Sequence, residues 1–355
     1  MKLFTLGPVE MYPDTLKLAG RPLPYFRTDA FSEVVLESSD LLRRFATAPA
    51  GSEVLLLTAS GTAAMEAAVV NCFDENDKLL VIDGGTFGHR FAEICAYHHI
   101  PFESVVLPFG TALTADMLLP YDDAGFTGLL VNIHETSTGQ LYDMDAIADF
   151  CKRNDLYLVA DAIGSFLADE TDMIRHGIDV LIVSSQKGLA LAPGLSIVVL
   201  SERIFERKVR AIRANCMYFD FNDYAVNAKR GQTPFTPAVG VVIAMRERLA
   251  AIDEIGVDVC IRNTARMATA FRERLCRPPI KIPSYKLSNA VTPLIFEAGN
   301  AKEMYRALIE RHGIYLNPNG GQLADKVLRV GHLGNLTLQD HMELADILRD
   351  VCGHD

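Results

Sequence analysis

Lys187 closes the run LIVSSQ and precedes GLALAPG, so its neighbours on both sides are small or apolar. An amine held at a buried strand end is poorly hydrated in its charged form, so its pKa falls and it can act as a nucleophile or base. A lysine is more commonly a solvated surface residue, but the string S-S-Q-K-G before the Pro193-Gly194 turn favours chemistry. Asp161 ends the run LYLVAD, where a carboxylate is costly unless paired. It can cap the next turn or face a cationic ring nitrogen. Ser60-Gly61-Thr62, in TASGTAAME, lies between an apolar run and a helical stretch. Glycine permits close backbone approach and a helix N-terminus offers free N–H groups, which together would cradle a phosphate; a serine N-cap is the plainer alternative. Phe87, in DGGTFGHR, is either core or a flat face for an aromatic ligand. Arg329, in VLRVGHLG, is either a surface ion-pair member or a bidentate clamp for a carboxylate.

The elements that must position these residues alternate along the chain. Apolar runs at 53–59, 78–83, 102–107, 128–133, 156–162, 179–185 and 195–201 are separated by helical spacing at 61–73, 88–99, 143–154 and 170–176. Runs that are continuously apolar predict strands covered on both faces, hence a doubly wound α/β sheet. The last two runs are joined too closely for a helical crossover and are expected to be antiparallel neighbours. Ligands of such sheets sit at the carboxyl ends of the strands. Five successive endings here are polar or glycine-rich: TASGTAAME, DGGTFGHR, HETSTG, DAIGS and SSQKG. The stretch 202–235 is expected to be irregular, with a long helix from about Thr236 to residue 253. The order of elements from 255 to 355 predicts a smaller α+β unit, with strands near 292–298 and 326–332.

The formal net charge of -11, without a basic run, excludes an electrostatic footprint for nucleic acid or anionic lipid. Any anionic ligand must therefore be held by backbone amides and a few placed cations. The seven cysteines (72, 95, 151, 216, 260, 276 and 352) are scattered without C-x-x-C spacing. They are expected to be reduced thiols of a cytoplasmic protein. No stretch reaches the ~18 apolar residues of a membrane span.

Taken in order, LLVNIHETSTGQL, LVADAIGSF and IVSSQKGLALAPG, with LGPVEM near the start and the Arg-x-Gly segment near the end, resemble the class V aminotransferases of the fold-type I pyridoxal-phosphate enzymes. The likeness is greatest to the alanine–glyoxylate, serine–pyruvate and 2-aminoethylphosphonate–pyruvate group. It implies a large domain with a mostly parallel seven-stranded sheet (25–240), a smaller C-terminal α+β domain (241–355) and an N-terminal arm (1–24) that contributes to the active site. It also implies pyridoxal 5'-phosphate held by Lys187 as an internal aldimine, with Asp161 on the protonated pyridine nitrogen. Phe87 and Ile163 would lie on the two ring faces, and Thr136 on the phenolic oxygen. Ser60, Gly61, Thr62 and Gln186 would bind the phosphate. Thr236 would reach the phosphate of the neighbouring subunit in a homodimer. Arg329 would bind the substrate carboxylate, with the backbone at Gly7 lining the same pocket. Two departures from the family pattern occur. Thr233 stands where relatives often have a tyrosine or another residue, and His134 directly precedes Glu135 where the family's H-G-E-S/T or H-C-E-T string has one residue more.

The activity so implied is transfer of an amino group between a small donor (alanine, serine or 2-aminoethylphosphonate type) and pyruvate or glyoxylate. Lys187 would serve as the general base at the substrate α-carbon. A cysteine desulfurase or another lyase of the fold is one rival; residues 277–351 contain none of the nucleophilic cysteine it needs. A non-catalytic pyridoxal-phosphate binder is the other, and it has no use for an arginine clamp.

Overall fold

The computed structural model describes residues 1–275 and 280–352, so Cys276 lies outside it. Helix α1 (Asp29–Phe45) starts where Thr28 accepts a bond from the amide of Phe31, and it buries Phe31, Val35, Leu42 and Phe45 on one stripe. There follow β1 (Glu53–Leu57), α2 (Gly61–Cys72), β2 (Leu79–Asp83), α3 (Thr86–Tyr97), β3 (Phe102–Val106) and β4 (Gly128–Asn132). Then come α4 (Met144–Arg153), β5 (Tyr157–Asp161), the short α5 (Met173–His176), β6 (Ile178–Ser184) and β7 (Ser196–Leu200). The seven strands form one sheet in the order β1-β7-β6-β5-β4-β2-β3. The pairs from β3 through β6 are parallel, and β7 runs antiparallel to both β6 and β1. All seven expected strands and three of the four expected helices thus recur within a few residues, while the expected helix at 170–176 shortens to one turn that Gly177 closes in the left-handed conformation.

Two apolar clusters cover the sheet. One includes residues of α1 and α4; the other includes α2, whose Ala64, Met65, Ala67, Ala68 and Val69 are buried on every side. After β2 the chain moves outward to β3 and returns through β4 on the opposite side of β2. That reversal opens a crevice at the carboxyl ends of β2 and β4.

The stretch 202–235 is more ordered than expected. It holds a helical turn at Glu202–Ile204, a π-helical turn at Phe205–Val209 and α6 (Phe221–Ala228). The long helix α7 (Val239–Ile255) starts three residues later than expected, because Pro237 disfavours helical dihedrals at Thr236. Its Val242, Met245, Leu249 and Ile252 join the first cluster of the large sheet.

Beyond it lie α8 (Val257–Leu275), β8 (Val291–Phe296), α9 (Ala301–His312), β9 (Asn317–Pro318), β10 (Val327–Gly331) and α10 (Leu338–Cys352). Residues 280–281, β8, β10 and β9 form an antiparallel sheet with its own apolar cluster. The N-terminus is tied to this unit: Lys2 and Leu3 pair in parallel with Ile314 and Tyr315, and Phe4 is part of the same cluster.

Candidate active site

Three residues after β6, the side chain of Lys187 lies under the N-terminal arm. The amide of Leu6 donates to Asn317 Oδ1 on β9 at 2.5 Å, which leads the arm over the large sheet. At Gly7 the backbone has φ +139°, and a Cβ there would sit 2.7 Å from Lys187 Cδ and 3.0 Å from the carbonyl oxygen of Gln186. Only glycine fits both the dihedral and the space. The arm, Lys187 and Gln186 are therefore one packed unit. Gln186 Oε1 in turn accepts from Ser184 Oγ at 2.6 Å.

Asp161, at the carboxyl end of β5, is buried. It accepts from the amide of Ile163 at 2.7 Å and from Asn132 Nδ2 at 2.6 Å. The turn-capping role is thus real, yet the two bonds do not offset the loss of water. Burial first, with the Glu135 charge adding to it, holds the carboxyl up at about 6, while Lys187 opposes the rise. Lys187 is shifted the other way, down to about 8. Burial is the main cause, Asp161 opposes it, and the positive charge of Arg329 adds to it. Both Asp161 and Arg329 thus lie close enough to Lys187 for their charges to act on it.

Arg329, on β10, donates from its two terminal nitrogens to the carbonyl oxygens of Thr136 (3.2 Å) and Pro318 (2.9 Å). Its Nε is buried without a partner, and among the described residues no carboxylate forms an ion pair with it. Burial lowers its pKa to about 10. A guanidinium held by carbonyls alone is suited to an incoming carboxylate.

Glu135 organises the crevice between β2 and β4. It is fully buried and accepts from the amides of Phe87 (3.2 Å), Gly88 (2.8 Å) and Ser137 (2.9 Å) and from Ser137 Oγ (2.6 Å). A carboxylate at the N-terminus of α3 is stabilised by free amides and by the helix dipole. It thereby fixes Phe87, whose ring is partly exposed at the mouth of the crevice. Ile163 packs on Gly61, where a Cβ would meet Ile163 Cδ1 at 2.5 Å. Ser60 caps α2 by accepting from the amide of Ala63, and Thr62 is exposed on its first turn. Thr136 is buried, its Oγ1 3.2 Å from His134 Nε2. Burial, with Lys187 adding, pushes His134 down to about 3, so the imidazole is neutral.

The structure therefore joins Gly7, Gln186, Lys187, Asp161, Ile163, Gly61, Thr136 and Arg329 through direct contacts or mutual electrostatics. Phe87 is joined to them through Glu135. Thr236 stands apart. It is exposed on the loop before α7 and makes no hydrogen bond to another described residue, although its near neighbour Ala238 donates to Thr58 Oγ1 at 2.9 Å. Asn132, Asn317 and Arg90, which contact Asp161, the arm at Leu6 and Thr62, were not singled out from the sequence, and His134 and Glu135 entered there only as a departure from the family pattern. The pairing of Asn132 with Asp161 follows from strand register, the one sequence signal available for it. The described cysteines do not offer a thiolate. Cys72, Cys95 and Cys151 are buried, and burial raises every described thiol whose side chain is placed.

Comparison with known proteins identifies the family. The family model for aminotransferase class-V matches residues 26–334. Among curated relatives, a protein named soluble hydrogenase, small subunit, from a Synechococcus strain is 29% identical over 309 residues, 84% of this chain and 80% of its own. The L-aspartate–glyoxylate aminotransferase of Paracoccus denitrificans is 27% identical over 358 residues, 97% of this chain and 89% of its own. Among solved structures, the subgroup IV aspartate aminotransferase of Thermus thermophilus superposes with a TM-score of 0.92 at 30% identity, covering 99% of each chain.

Proposed function

The chain belongs to the class V aminotransferases, pyridoxal-phosphate enzymes of fold-type I, and from that premise we propose that Lys187 carries the cofactor and moves the proton in an exchange of amino groups between a small amino acid and a small 2-oxo acid. One observation supports the reading: Asp161 and Arg329 both act electrostatically on Lys187, and each of the three is held away from its ordinary ionisation.

The residues present fit pyridoxal phosphate. Gly61 opens a twelve-residue helix and packs against Ile163, which leaves no room for a side chain there, while its amide has no partner within the helix. Ser60, Gly61, Thr62 and Gln186 would hold the phosphate, Phe87 and Ile163 the ring faces, Thr136 the phenolic oxygen and Asp161 the ring nitrogen. When bound, the cofactor supplies a ring that delocalises the electron pair left on the substrate α-carbon. The chain does the rest. Asp161 is the buried anion that would keep a ring nitrogen protonated. Arg329 would receive the substrate carboxylate in both half-reactions and so orient the α-carbon toward Lys187. The Lys187 amine, near 8, is deprotonated often enough at neutral pH that, once displaced by the substrate amine, it would take a proton from that carbon and deliver it to the carbon two bonds away, across the shared nitrogen. The arm at Gly7 lies against the side-chain stem of Lys187 and so limits where its amine can point.

Alanine, serine and 2-aminoethylphosphonate suit the donor role, with pyruvate or glyoxylate as acceptor. The names of two relatives add aspartate to that set. We extend the proposal to a homodimer in which Thr236 completes the neighbouring site, to division of the chain at residues 24 and 240, and to a cytoplasmic location. No helix among the described residues is long and apolar enough to cross a membrane.

Reduction of the holoenzyme with borohydride, followed by peptide mapping, tests the central assignment. The cofactor label is expected on Lys187; a label on another lysine, or none, refutes it.

A further inference from the structure

We propose that Arg90 is the cation of the phosphate end of the site, a role that rests on the placement of pyridoxal phosphate proposed above. The cup formed by Ser60, Gly61, Thr62 and Gln186 offers hydroxyls, an amide and a helix N-terminus but no formal charge. A phosphate monoester carries about -1.5 to -2 at neutral pH, and the chain as a whole has a net charge of -11. A placed cation is what the cup lacks.

Arg90 meets the requirement from two directions. Its Nη1 donates to Thr62 Oγ1 at 3.0 Å, so the guanidinium reaches the first turn of α2 from α3. Its guanidinium carbon also lies 5.0 Å from the centroid of the Phe87 ring. Phe87 and Arg90 are three residues apart on α3 and so share a face of that helix. The cation–π contact orients the guanidinium, and the Glu135 carboxylate anchors the helix beneath both side chains. Among the described residues no carboxylate forms an ion pair with Arg90, which leaves its charge available. A planar guanidinium with several donors matches an oxyanion better than an ammonium does. Charge-assisted bonds of this kind are roughly twice as strong as neutral ones. The same guanidinium could instead serve the second carboxylate of a dicarboxylic donor; its bond to Thr62, a cup residue, favours the phosphate.

The test compares two aldehydes that differ only in the phosphate. Cofactor-free full-length protein is titrated with pyridoxal phosphate and with pyridoxal, followed by absorbance and by borohydride labelling of Lys187. Arg90→Gln is expected to weaken pyridoxal phosphate by roughly 10- to 100-fold, the equivalent of one or two charge-assisted bonds, and to leave pyridoxal unchanged. Arg90→Lys should recover part of the loss. Equal weakening of both aldehydes, or none of either, overturns the proposal; the first places Arg90 in support of Phe87 alone. Unchanged cofactor affinity with a raised KM for aspartate but not alanine also overturns it, in favour of the substrate carboxylate. If the unaltered protein labels at no lysine with either aldehyde, the failure lies with the assignment of Lys187.

Discussion

Replacing Lys187 by methionine should make the cofactor-free protein more stable at neutral pH. The amine is held down at about 8 from an ordinary 10.5, chiefly by burial. At ~1.4 kcal/mol per pH unit this difference is on the order of 3 kcal/mol. Below about pH 8 the amine is protonated in both folded and unfolded chains, and the folded state bears the whole penalty. Between about 8 and 10.5 the unfolded chain keeps a proton that the folded chain has lost, so the stability of the unaltered protein rises with pH. Above 10.5 both are neutral and the penalty is gone. Methionine retains an unbranched stem to lie against Gly7 and brings no charge. Urea unfolding of the two apoproteins at a series of pH values should therefore show the variant ahead by about 3 kcal/mol at pH 7, with the gap closing from pH 8 to 10.5. A variant no more stable at pH 7, or a gap that persists at high pH, would show that the amine is not buried as described.

Two further outcomes follow from contacts already described. Arg329→Leu should weaken 2-oxo acids by roughly 10- to 100-fold, the loss of a charge-assisted pair, while cofactor affinity changes little. Titration of the half-reaction measures this, and unchanged affinity for the oxo acid counts against the clamp. Gly7→Ala places a side chain at φ +139° and against Lys187 Cδ, so a loss of about 1–3 kcal/mol is expected, together with faster borohydride labelling of a less covered Lys187. Unchanged melting and labelling would mean that the arm does not rest on the amine.

The large sheet was legible because its strands are covered on both faces. EVLLL, LLVID and GLLVN are continuously apolar, and each is followed by residues that must turn. Lys187 and Asp161 were legible for the same reason, as polar groups where an apolar run ends. Glu135 was not: the amides it binds at Phe87 and Gly88 are 48 and 47 residues away, and no local pattern records a backbone donor. Arg90 was hidden likewise, since its bond to Thr62 spans 28 residues. The later start of α7 was available in Pro237, a constraint that the helical spacing of the following residues outweighed. The helical pieces within 202–235 carry apolar residues such as Phe205, Val209, Phe221 and Tyr224 that anchor to the second cluster, a tertiary contact that decides what composition left open.

The site and the fold oppose each other at the same few residues. Burial pushes Lys187 toward the neutral amine, Asp161 toward the neutral acid and Arg329 below its ordinary range, and each is held there by packing that the two cores sustain. A carboxylate at Arg329, a cationic nitrogen at Asp161 and a carbonyl at Lys187 would each remove one of those penalties, because each replaces lost hydration with a bonded partner. A ligand that binds the folded chain alone stabilises it by RT ln(1 + [L]/Kd). The penalties carried without ligand are therefore one source of the affinity for molecules bearing those three groups. Substitutions that relieve them should gain stability at the expense of binding, which is the stability–function opposition expected where a site is built from desolvated charges.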